Sequence, residues 1–557
     1  MRYENILLCM AIAALVVIAF LSFCKRINSK NKYRNMVVWI WTSLSLFVWI
    51  PTGALVVYLI QRRIEFQYVY EHVDINVPMY YRISALWAGQ QGSLLVWSSI
   101  LVMGGFVVLY YGTRYTPKIL GTYSLLTAFV VMLAFLTNGF QKLQTIPKDG
   151  LGLSISLQDP WMVIHPPLVF IGYTGMAILF SLLFVVKEKV RLIQFWLRFS
   201  EFFLGIGIMT GSVWAYRCLG WGGFWSWDAI ENIALVPWLL ICAFLHGKTN
   251  YSKAMVVLPF SLAVFGTFLT RSGILRDTSV HAYTSSNARY AFSLFMLLLI
   301  ACIAIIIIFG VKYRGKLKSI QWKGTMQLFR LITYCYSFVI FLATICPILT
   351  NRTTPNVCYN TASIVYLIGM IGLFLVYQGW FTKRVITVVS VISLILILGV
   401  VLLFPNIKTS ILLLFWFSLL PFVGYCYFLI GKKNKRYLGS HIMLLLFILG
   451  IISAGGFSVK YMQPVSQGTS EVIIQGRSYD MEKKEEGKTS LLTTALSDYV
   501  ITDVQKTANN SNGVILFYES KPLICLLWIG GFGLLGSFLI IIIRNGIKKY
   551  EKIQKQP

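Results

Sequence analysis

Long apolar runs alternate with short polar segments along almost the whole chain. Runs of about 20 residues, the length at which a helix crosses a bilayer, recur from one end to the other. The first run is longer than a signal-peptide core and no small-residue cleavage site follows it, so we expect it to remain a helix. The pattern predicts an all-α polytopic integral membrane protein with about fifteen spanning helices, near residues 5–24, 36–61, 93–112, 119–137, 164–186, 197–217, 230–247, 252–270, 290–310, 328–349, 361–381, 384–404, 409–430, 441–457 and 522–544.

One segment, 458–521, breaks this pattern between the last two predicted helices. It is polar, its runs "SEVIIQG" and "DYVITDVQ" favour short strands, and "TANNSNG" is typical of a turn. We therefore predict three parts: a transmembrane helical core over 1–457, a small β-containing domain over 458–521, and a final helix with a basic tail over 522–557.

Composition and charge distribution decide the class and the orientation. The chain has 557 residues, of which 57% are hydrophobic and 12% charged, and its mean hydropathy is +0.72, which excludes a soluble enzyme. The net charge of +29 comes largely from short loops such as "KRINSKNKYR" and "GKKNKRYLG", which are cytoplasmic if the N-terminus lies outside. This is the positive-inside bias rather than a nucleic-acid footprint. It predicts that segment 458–521 of this multi-pass protein lies on the extracytoplasmic face. We expect the membrane to be the bacterial inner (plasma) membrane, with the mitochondrial inner membrane as the lesser option.

The ten cysteines do not indicate redox chemistry. None of them forms a C-x-x-C or a haem-attachment C-x-x-C-H motif, and most lie within predicted helices. In such positions cysteine behaves as a small apolar residue, so we predict neither a disulfide framework nor a thiol-redox site.

Four of the five histidines fall into two pairs at matching depth in this topology. His246 and His441 lie near the cytoplasmic side, and His165 and His281 lie at the outer side. Two imidazoles at one depth on different helices are a natural axial pair for haem iron, whereas a single one more often hydrogen-bonds a neighbouring helix. We predict two haem-iron pairs, and we interpret His72, which has no mate, as structural.

An aromatic cluster lies in the predicted outer loop 218–231, which contains "WGGFWSWDAIE". Its rings are too dense for an interfacial belt, and its glycines permit close approach of a ligand. We predict a platform for a large flat apolar ligand between His165 and His281. The two acidic residues either fix the loop, cap the next helix or orient a polar ligand edge. The candidate residues are Trp221, Gly222, Gly223, Phe224, Trp225, Trp227, Asp228 and Glu231.

The stretch "WGGFWSWDAIENIALVPWL" resembles the tryptophan-rich WWD motif of the haem-handling protein family that includes CcmF, CcmC, NrfE and CcsA. The resemblance to the CcmF type is strongest. It extends to "YRISALWAGQQGSLLVW", "LQDPWMVIHPPLVFIGYTG", "GTFLTRSGILRDTSVHAY" and, after His441, "GSHIMLLLFILGIISAGG", in the family's order. Two departures are Phe224, where another Trp is common, and Gln90 with Gln91, where His-Glu is frequent. Residues 310–435 match only as generic hydrophobic helices.

This resemblance implies a haem lyase component of cytochrome c maturation. His246 and His441 match the ligands of a buried b haem, and His165 and His281 match the outer histidines that flank the WWD loop and ligate incoming haem. The implied partners are apocytochrome c, a CcmE-like haem chaperone and a CcmH-like thiol protein, with quinol as the possible source of an electron that the b haem passes to incoming haem. No residue stands out as a general acid or base. Two alternatives stay open: a quinone-linked b-type cytochrome subunit of respiration, and a haem exporter.

Overall fold

The computed structural model contains sixteen α-helices and six β-strands within the residues it describes. It describes residues 2–554 except 25–29, 187–188, 219–222, 248–252, 272–323, 351–353, 378–382, 406, 432–437, 467–470, 475–476, 481–489, 495 and 507–512. The helices are α1 Tyr3–Phe23, α2 Lys30–Ile60, α3 Gln67–His72, α4 Met79–Ser84, α5 Gln90–Arg114, α6 Pro117–Thr137, α7 Pro160–Ser181, α8 Val190–Cys218, α9 Ala229–Leu245, α10 Lys253–Arg271, α11 Thr325–Thr350, α12 Asn356–Tyr377, α13 Lys383–Leu403, α14 Thr409–Gly431, α15 Leu438–Gly456 and α16 Ile524–Gln554. The strands are β1 Val459–Ser466, β2 Glu471–Ile474, β3 Arg477–Asp480, β4 Ser490–Thr493, β5 Ser497–Lys506 and β6 Gly513–Pro522.

The predicted fold class is confirmed. Within the described part of the chain, thirteen helices are long and apolar enough to cross a membrane, and α9 is a shorter apolar helix of 17 residues. The predicted helix near 290–310 lies outside the described residues. Some helices extend past their apolar runs, as α2 does by starting at Lys30 and α16 by ending at Gln554, because helical hydrogen bonding continues into the polar flanks.

The first of two compact units comprises Met1–Thr210 and Trp227–Pro355. In it α1 packs on α2 and α6, α5 on α2, α6 and α7, and α10 on α7 and α9. Trp97 of α5 is fully buried, and its ring lies about 6 Å from those of Phe170 and Tyr173 on α7 and 6.5 Å from that of Phe260 on α10. Buried aromatic rings of three helices thus form the centre of this unit.

Two polar segments of the same unit, 62–92 and 138–163, pair with each other beyond the helix ends. The backbone N–H of Gln67 donates to Gln141 O at 2.9 Å, and that of Leu143 donates to Glu65 O at 2.9 Å. Arg62 forms a 2.7 Å ion pair with Asp149. Their backbone pairing joins the two segments to each other.

The second unit comprises Gly211–Ser226 and Asn356–Pro557. Its helices α15 and α16 pack closely because glycines face the partner backbone: Gly450 lies against Leu527, and Gly530 against Phe447. Small residues at such contacts are typical of membrane helix pairs, since lipid gives no hydrophobic drive for association.

The strands of the second unit confirm the predicted β-containing region between the last two helices. Strands β1, β6, β5 and β4 form an antiparallel sheet in that order, and β2 pairs with β3 as a hairpin. The run "SEVIIQG" contains β2 and "DYVITDVQ" lies within β5, whereas "TANNSNG" lies almost wholly outside the described residues. The apolar core of the region is Val472, Ile474, Tyr479, Ile501, Leu516 and Tyr518.

Candidate functional site

The tryptophan-rich loop is described from Gly223 onward, and Trp221 and Gly222 lie outside the described residues. Trp227 adopts a left-handed backbone conformation with φ of 62°. This conformation is unfavourable for a bulky side chain, and residues held in it concentrate at functional sites because neighbouring contacts must enforce it. The local backbone at Trp227 is therefore imposed by its surroundings.

Two acidic residues at the start of α9 fix the backbone that follows Trp227. The Asp228 carboxylate accepts the backbone N–H of Ile230 at 2.8 Å, and Glu231 accepts the backbone N–H of Asp228 at 3.2 Å. Together they form a capping box at the start of α9. Of the three roles that the sequence left open for these acids, the structure shows helix capping, which fixes where the loop ends.

Asn232 also fixes the loop, and the sequence analysis did not single out this residue. Its side chain is fully buried, and its Nδ2 donates to the backbone carbonyl of Trp227 at 3.0 Å. A polar residue one turn after a helix cap is a weak signal, because such residues usually face solvent. Trp227 is thus held by the capping box after it and by Asn232 at its carbonyl.

His165 lies half-buried near the start of α7, whose N-cap is Asp159. Its Nδ1 lies 2.7 Å from the backbone carbonyl oxygen of Gly207 on α8. Because a carbonyl can only accept, Nδ1 carries a proton, and in the neutral ring the lone pair is then on Nε2, the arrangement that outer-sphere hydrogen bonds give to metal-ligating histidines. The geometry fits an axial ligand of haem iron. His281 lies outside the described residues.

His246 lies directly after the last residue of α9 and has the same arrangement. Its Nδ1 lies 2.8 Å from the carbonyl oxygen of Cys242, one turn earlier, and its ring centroid lies 4.8 Å from that of Phe329. The lone pair is again on Nε2. An imidazole with this tautomer beside an aromatic ring fits a haem ligand.

A buried acid that contacts the second half of α9 was also missed. Glu201 of α8 is 3% exposed and hydrogen-bonds the Cys242 thiol, and its backbone carbonyl accepts Trp238 Nε1 at 3.0 Å. The sequence did contain a signal for Glu201, because "RFSEFFLGIG" has an acid inside an apolar run. These contacts tie α8 to the turn of α9 that precedes His246.

His441, in the second unit, lies among aromatic rings near the start of α15. Its ring centroid lies 5.4 Å from that of Tyr425 on α14 and 5.7 Å from that of Phe374 on α12. Such surroundings suit a flat apolar ligand.

The surroundings of Nε2 distinguish His72 from these histidines. Its Nδ1 also lies 2.8 Å from a backbone carbonyl oxygen, that of Tyr68, and its ring stacks on Tyr68 at 4.4 Å. Its Nε2, however, lies so close to Gly89 that a Cβ there would be 2.7 Å away. The site leaves little space for a ligand at Nε2, in keeping with the structural role expected for His72.

Comparison with known proteins places these residues in a family context. Residues 87–275 match the family described as "Cytochrome C assembly protein", a range that contains His165, the tryptophan-rich loop and His246. The "Cytochrome c-type biogenesis protein CcmF" of Pseudomonas aeruginosa is 39% identical over 259 residues, which cover 42% of this chain and 38% of that protein. The CycK protein of Bradyrhizobium diazoefficiens is 33% identical over 329 residues, covering 54% and 49%, and CcmF of Escherichia coli is 32% identical over 313 residues, covering 51% and 48%.

The chain therefore spans about half or less of the length of these relatives, whereas the fold comparison spans nearly all of it. A solved structure named "Cytochrome c Heme Lyase CcmF" superposes with a TM-score of 0.71, covering 97% of this chain and 98% of that one at 17% identity. At that identity the match shows the fold. The chain is thus similar to CcmF-type cytochrome c assembly proteins in the sequence of residues 87–275 and in its fold, which confirms the resemblance found in its motifs.

Proposed function

We propose that this protein acts in cytochrome c-type biogenesis as a haem lyase component. The tryptophan-rich loop binds haem as a substrate on the extracytoplasmic side, and the protein takes part in its covalent attachment to apocytochrome c. The observation that carries this proposal is the loop itself. Within the residues that match the assembly family, Trp227 is held in a left-handed conformation by a capping box and by Asn232. Enforced strain at an aromatic cluster is expected where rings must face a ligand in a fixed orientation.

In the proposed role, His165 and His281 hold the iron of the incoming haem while the loop supports the porphyrin face. Attachment adds each cysteine S–H of the apocytochrome across a vinyl C=C, so that an S–C bond forms and the proton ends on the neighbouring carbon. The chain's contribution is orientation of haem and thiols, which alone can supply a large part of the acceleration. A CcmE-like chaperone would deliver the haem, and a CcmH-like thiol protein would present the apocytochrome.

His246 and His441 would hold a resident b haem, and the fixed tautomer of His246 supports this assignment. A bound b haem supplies one-electron transfer, for which quinol is the proposed donor and the iron of incoming haem the acceptor. This role separates the proposal from its two rivals. A haem exporter needs no resident haem, and a respiratory b-type subunit gives no role to His165, His281 or the loop.

The test is complementation of a bacterial strain that lacks this maturation step. Changing Trp225 and Trp227 together to Ala should abolish cytochrome c formation while the b haem of the purified protein stays. Each lost indole removes a large apolar contact with the porphyrin, worth about 3 kcal/mol by analogy with core truncations, which weakens capture about a hundredfold or more.

The control is Trp39→Ala in α2, because Trp39 is 72% exposed and far from the loop in sequence. Trp238 is expected to matter less than the loop residues but is a poorer control, since its indole hydrogen-bonds the Glu201 backbone beside Cys242. Normal cytochrome c in the double variant would refute the platform. Equal, mild effects of Trp39→Ala and the double variant would favour an interfacial aromatic belt.

A further inference from the structure

Residues Gly223–Ser226 of the tryptophan-rich loop belong to the same compact unit as the β-sheet and α16. The ring of Phe224 lies edge-on to that of Trp528 in the second turn of α16, with centroids 6.4 Å apart and planes at 80°. The Trp528 ring also contacts that of Tyr216, near the end of α8, at 5.7 Å. One indole therefore contacts both the loop and the helix that leads into it.

Tyr216 extends this series of contacts to the β-sheet. Its hydroxyl donates to Asp498 Oδ2 at 3.1 Å, and both residues are buried, at 3% and 8% exposure. Asp498 is the second residue of β5, and 282 positions separate it from Tyr216 along the chain. A buried hydrogen bond to a carboxylate is among the stronger polar contacts and fixes the positions of both partners.

Further contacts fix the strand that carries Asp498 and the start of the helix that carries Trp528. Asp498 lies opposite Lys521 in the β5–β6 ladder, and Lys521 pairs with Glu519 at 2.7 Å. Leu523, between β6 and α16, adopts a left-handed conformation with φ of 56°, and its backbone N–H donates to Leu496 O at 2.6 Å. The residue before β5 is thereby joined to the residue before α16, which lies five residues before Trp528.

We propose that the β-sheet region positions the tryptophan-rich loop through the contact series Asp498–Tyr216–Trp528–Phe224, which we call the loop anchor. Asp498 and Tyr216 are positioning residues: they contact the loop through Trp528 and are not assigned to touch haem. The inference rests on the proposed function for its consequence, because a displaced loop would lower cytochrome c formation. It gives a role to a region that neither the motifs nor the matched residues 87–275 include.

The test measures how accessible the loop is to a reagent, in the full-length protein in membranes. Gly223→Cys serves as a reporter, since among the described residues a Cβ at this position would meet the Trp225 carbonyl oxygen alone, at 3.9 Å. The rate at which a membrane-impermeant maleimide modifies the introduced thiol is read by mass spectrometry, with the chain that keeps Gly223 as background. Tyr216→Phe and Asp498→Ala should each raise the rate about tenfold, as expected when a hydrogen bond to a charged group no longer opposes loop opening.

Two further variants make the test specific. Asp498→Asn retains an oxygen that accepts the Tyr216 hydroxyl, so it should keep the rate near that of the parent. Tyr518→Phe removes a hydroxyl from a buried tyrosine within the sheet itself, which stacks on Tyr461 at 5.0 Å, and it should leave the rate unchanged. The combination of Tyr216→Phe with Asp498→Ala should be no faster than the faster single variant, because both remove the same bond.

Function is measured separately, in chains that keep Gly223. Tyr216→Phe and Asp498→Ala should lower cytochrome c yield, and Asp498→Asn should restore most of it. An unchanged labelling rate, or single-variant effects that multiply in the combination, would refute the anchor whatever the fate of haem. Faster labelling with normal cytochrome c would refute its positioning role. Normal cytochrome c in the Trp225 and Trp227 double variant would instead refute the proposed function, and the labelling rates would still decide the anchor.

Discussion

Helices α7 and α13 are both apolar enough to span a membrane, yet they meet different surroundings. The α7 span, Pro160–Phe184, has a mean hydropathy of 2.0, and 72% of its most apolar segment is buried within the protein. The α13 span, Val385–Leu403, has a mean hydropathy of 3.1, and only 17% of that segment is buried. The more hydrophobic helix is the less buried one, the reverse of the rule for proteins in water.

Lipid explains the reversal. A helix that faces acyl chains must be apolar around most of its surface, whereas a helix surrounded by other helices can carry polar groups that neighbours satisfy. Accordingly, α7 carries His165 with its carbonyl partner on α8, and α8, with a mean hydropathy of 1.3, carries the buried Glu201. The less hydrophobic spans are therefore the ones to search for chemistry.

The largest effects should come from the candidate haem-ligating histidines. His246→Ala and His441→Ala should each remove the b haem from the purified protein, because each deletes one axial ligand, and external imidazole should restore part of it. His165→Ala should abolish cytochrome c formation while the b haem stays. Haem content and cytochrome c yield, measured on the same preparations, separate these outcomes.

The matched control for the histidines is Val391→Ala in α13. Val391 is 50% exposed at the surface of the protein, so its substitution should leave both haem content and cytochrome c yield unchanged. If both His246→Ala and His441→Ala kept a normal haem spectrum, the assignment of the buried pair would be wrong.

An all-or-none result should also come from topology. The charge of the loops predicts that 458–521 lies outside, so a reporter fused near Asn510, a position outside the described residues, should be active only if it works outside the cytoplasm. Activity there of a reporter that works only in the cytoplasm would show that the number of spans before it is miscounted.

An effect of intermediate size is expected on the free energy of unfolding. It should distinguish a helix buried in the protein from one that faces lipid. Leu101 of α5 is fully buried, and Leu402 of α13 is 83% exposed. Leu101→Ala leaves a cavity and should cost about 2 kcal/mol or more of unfolding free energy. Leu402→Ala exchanges contacts with lipid for other contacts with lipid and should change it by less than about 0.5 kcal/mol. Unfolding in mixed micelles measures both, and equal losses would contradict the assignment of α13 to the lipid-facing surface.

Much of the fold followed from the sequence because lipid imposes a simple pattern. The spans and the strands near "SEVIIQG" and "DYVITDVQ" were visible, since each depends on local periodicity. The Tyr216–Asp498 bond was not, because its partners become neighbours only through folding, whereas Asn232 gave only a weak local signal and Glu201 a visible one whose partner on α9 could not be read from the sequence. Asp498 lies 282 residues from Tyr216, and no local pattern distinguishes it from a solvent-exposed acid at the start of a strand. Candidate ligands could thus be predicted, but the contacts that orient them could not.

The smallest predicted effect concerns His72, the last residue of the short helix α3, which lies outside the membrane-spanning helices. Burial lowers the pKa of His72 below its ordinary value of 6.5, against the opposing effects of the Tyr68 carbonyl and of Glu71. The unfolded chain therefore takes up a proton near pH 6.5 while the folded protein does not, so stability is fully present above that pH and declines as the pH falls below it. His72→Gln should flatten this slope in the unfolding midpoint between pH 8 and pH 5, compared with the parent protein in the same detergent. Identical slopes in the two proteins would mean that His72 titrates alike when folded and unfolded, and that the packing of its Nε2 against Gly89 does not exclude a proton.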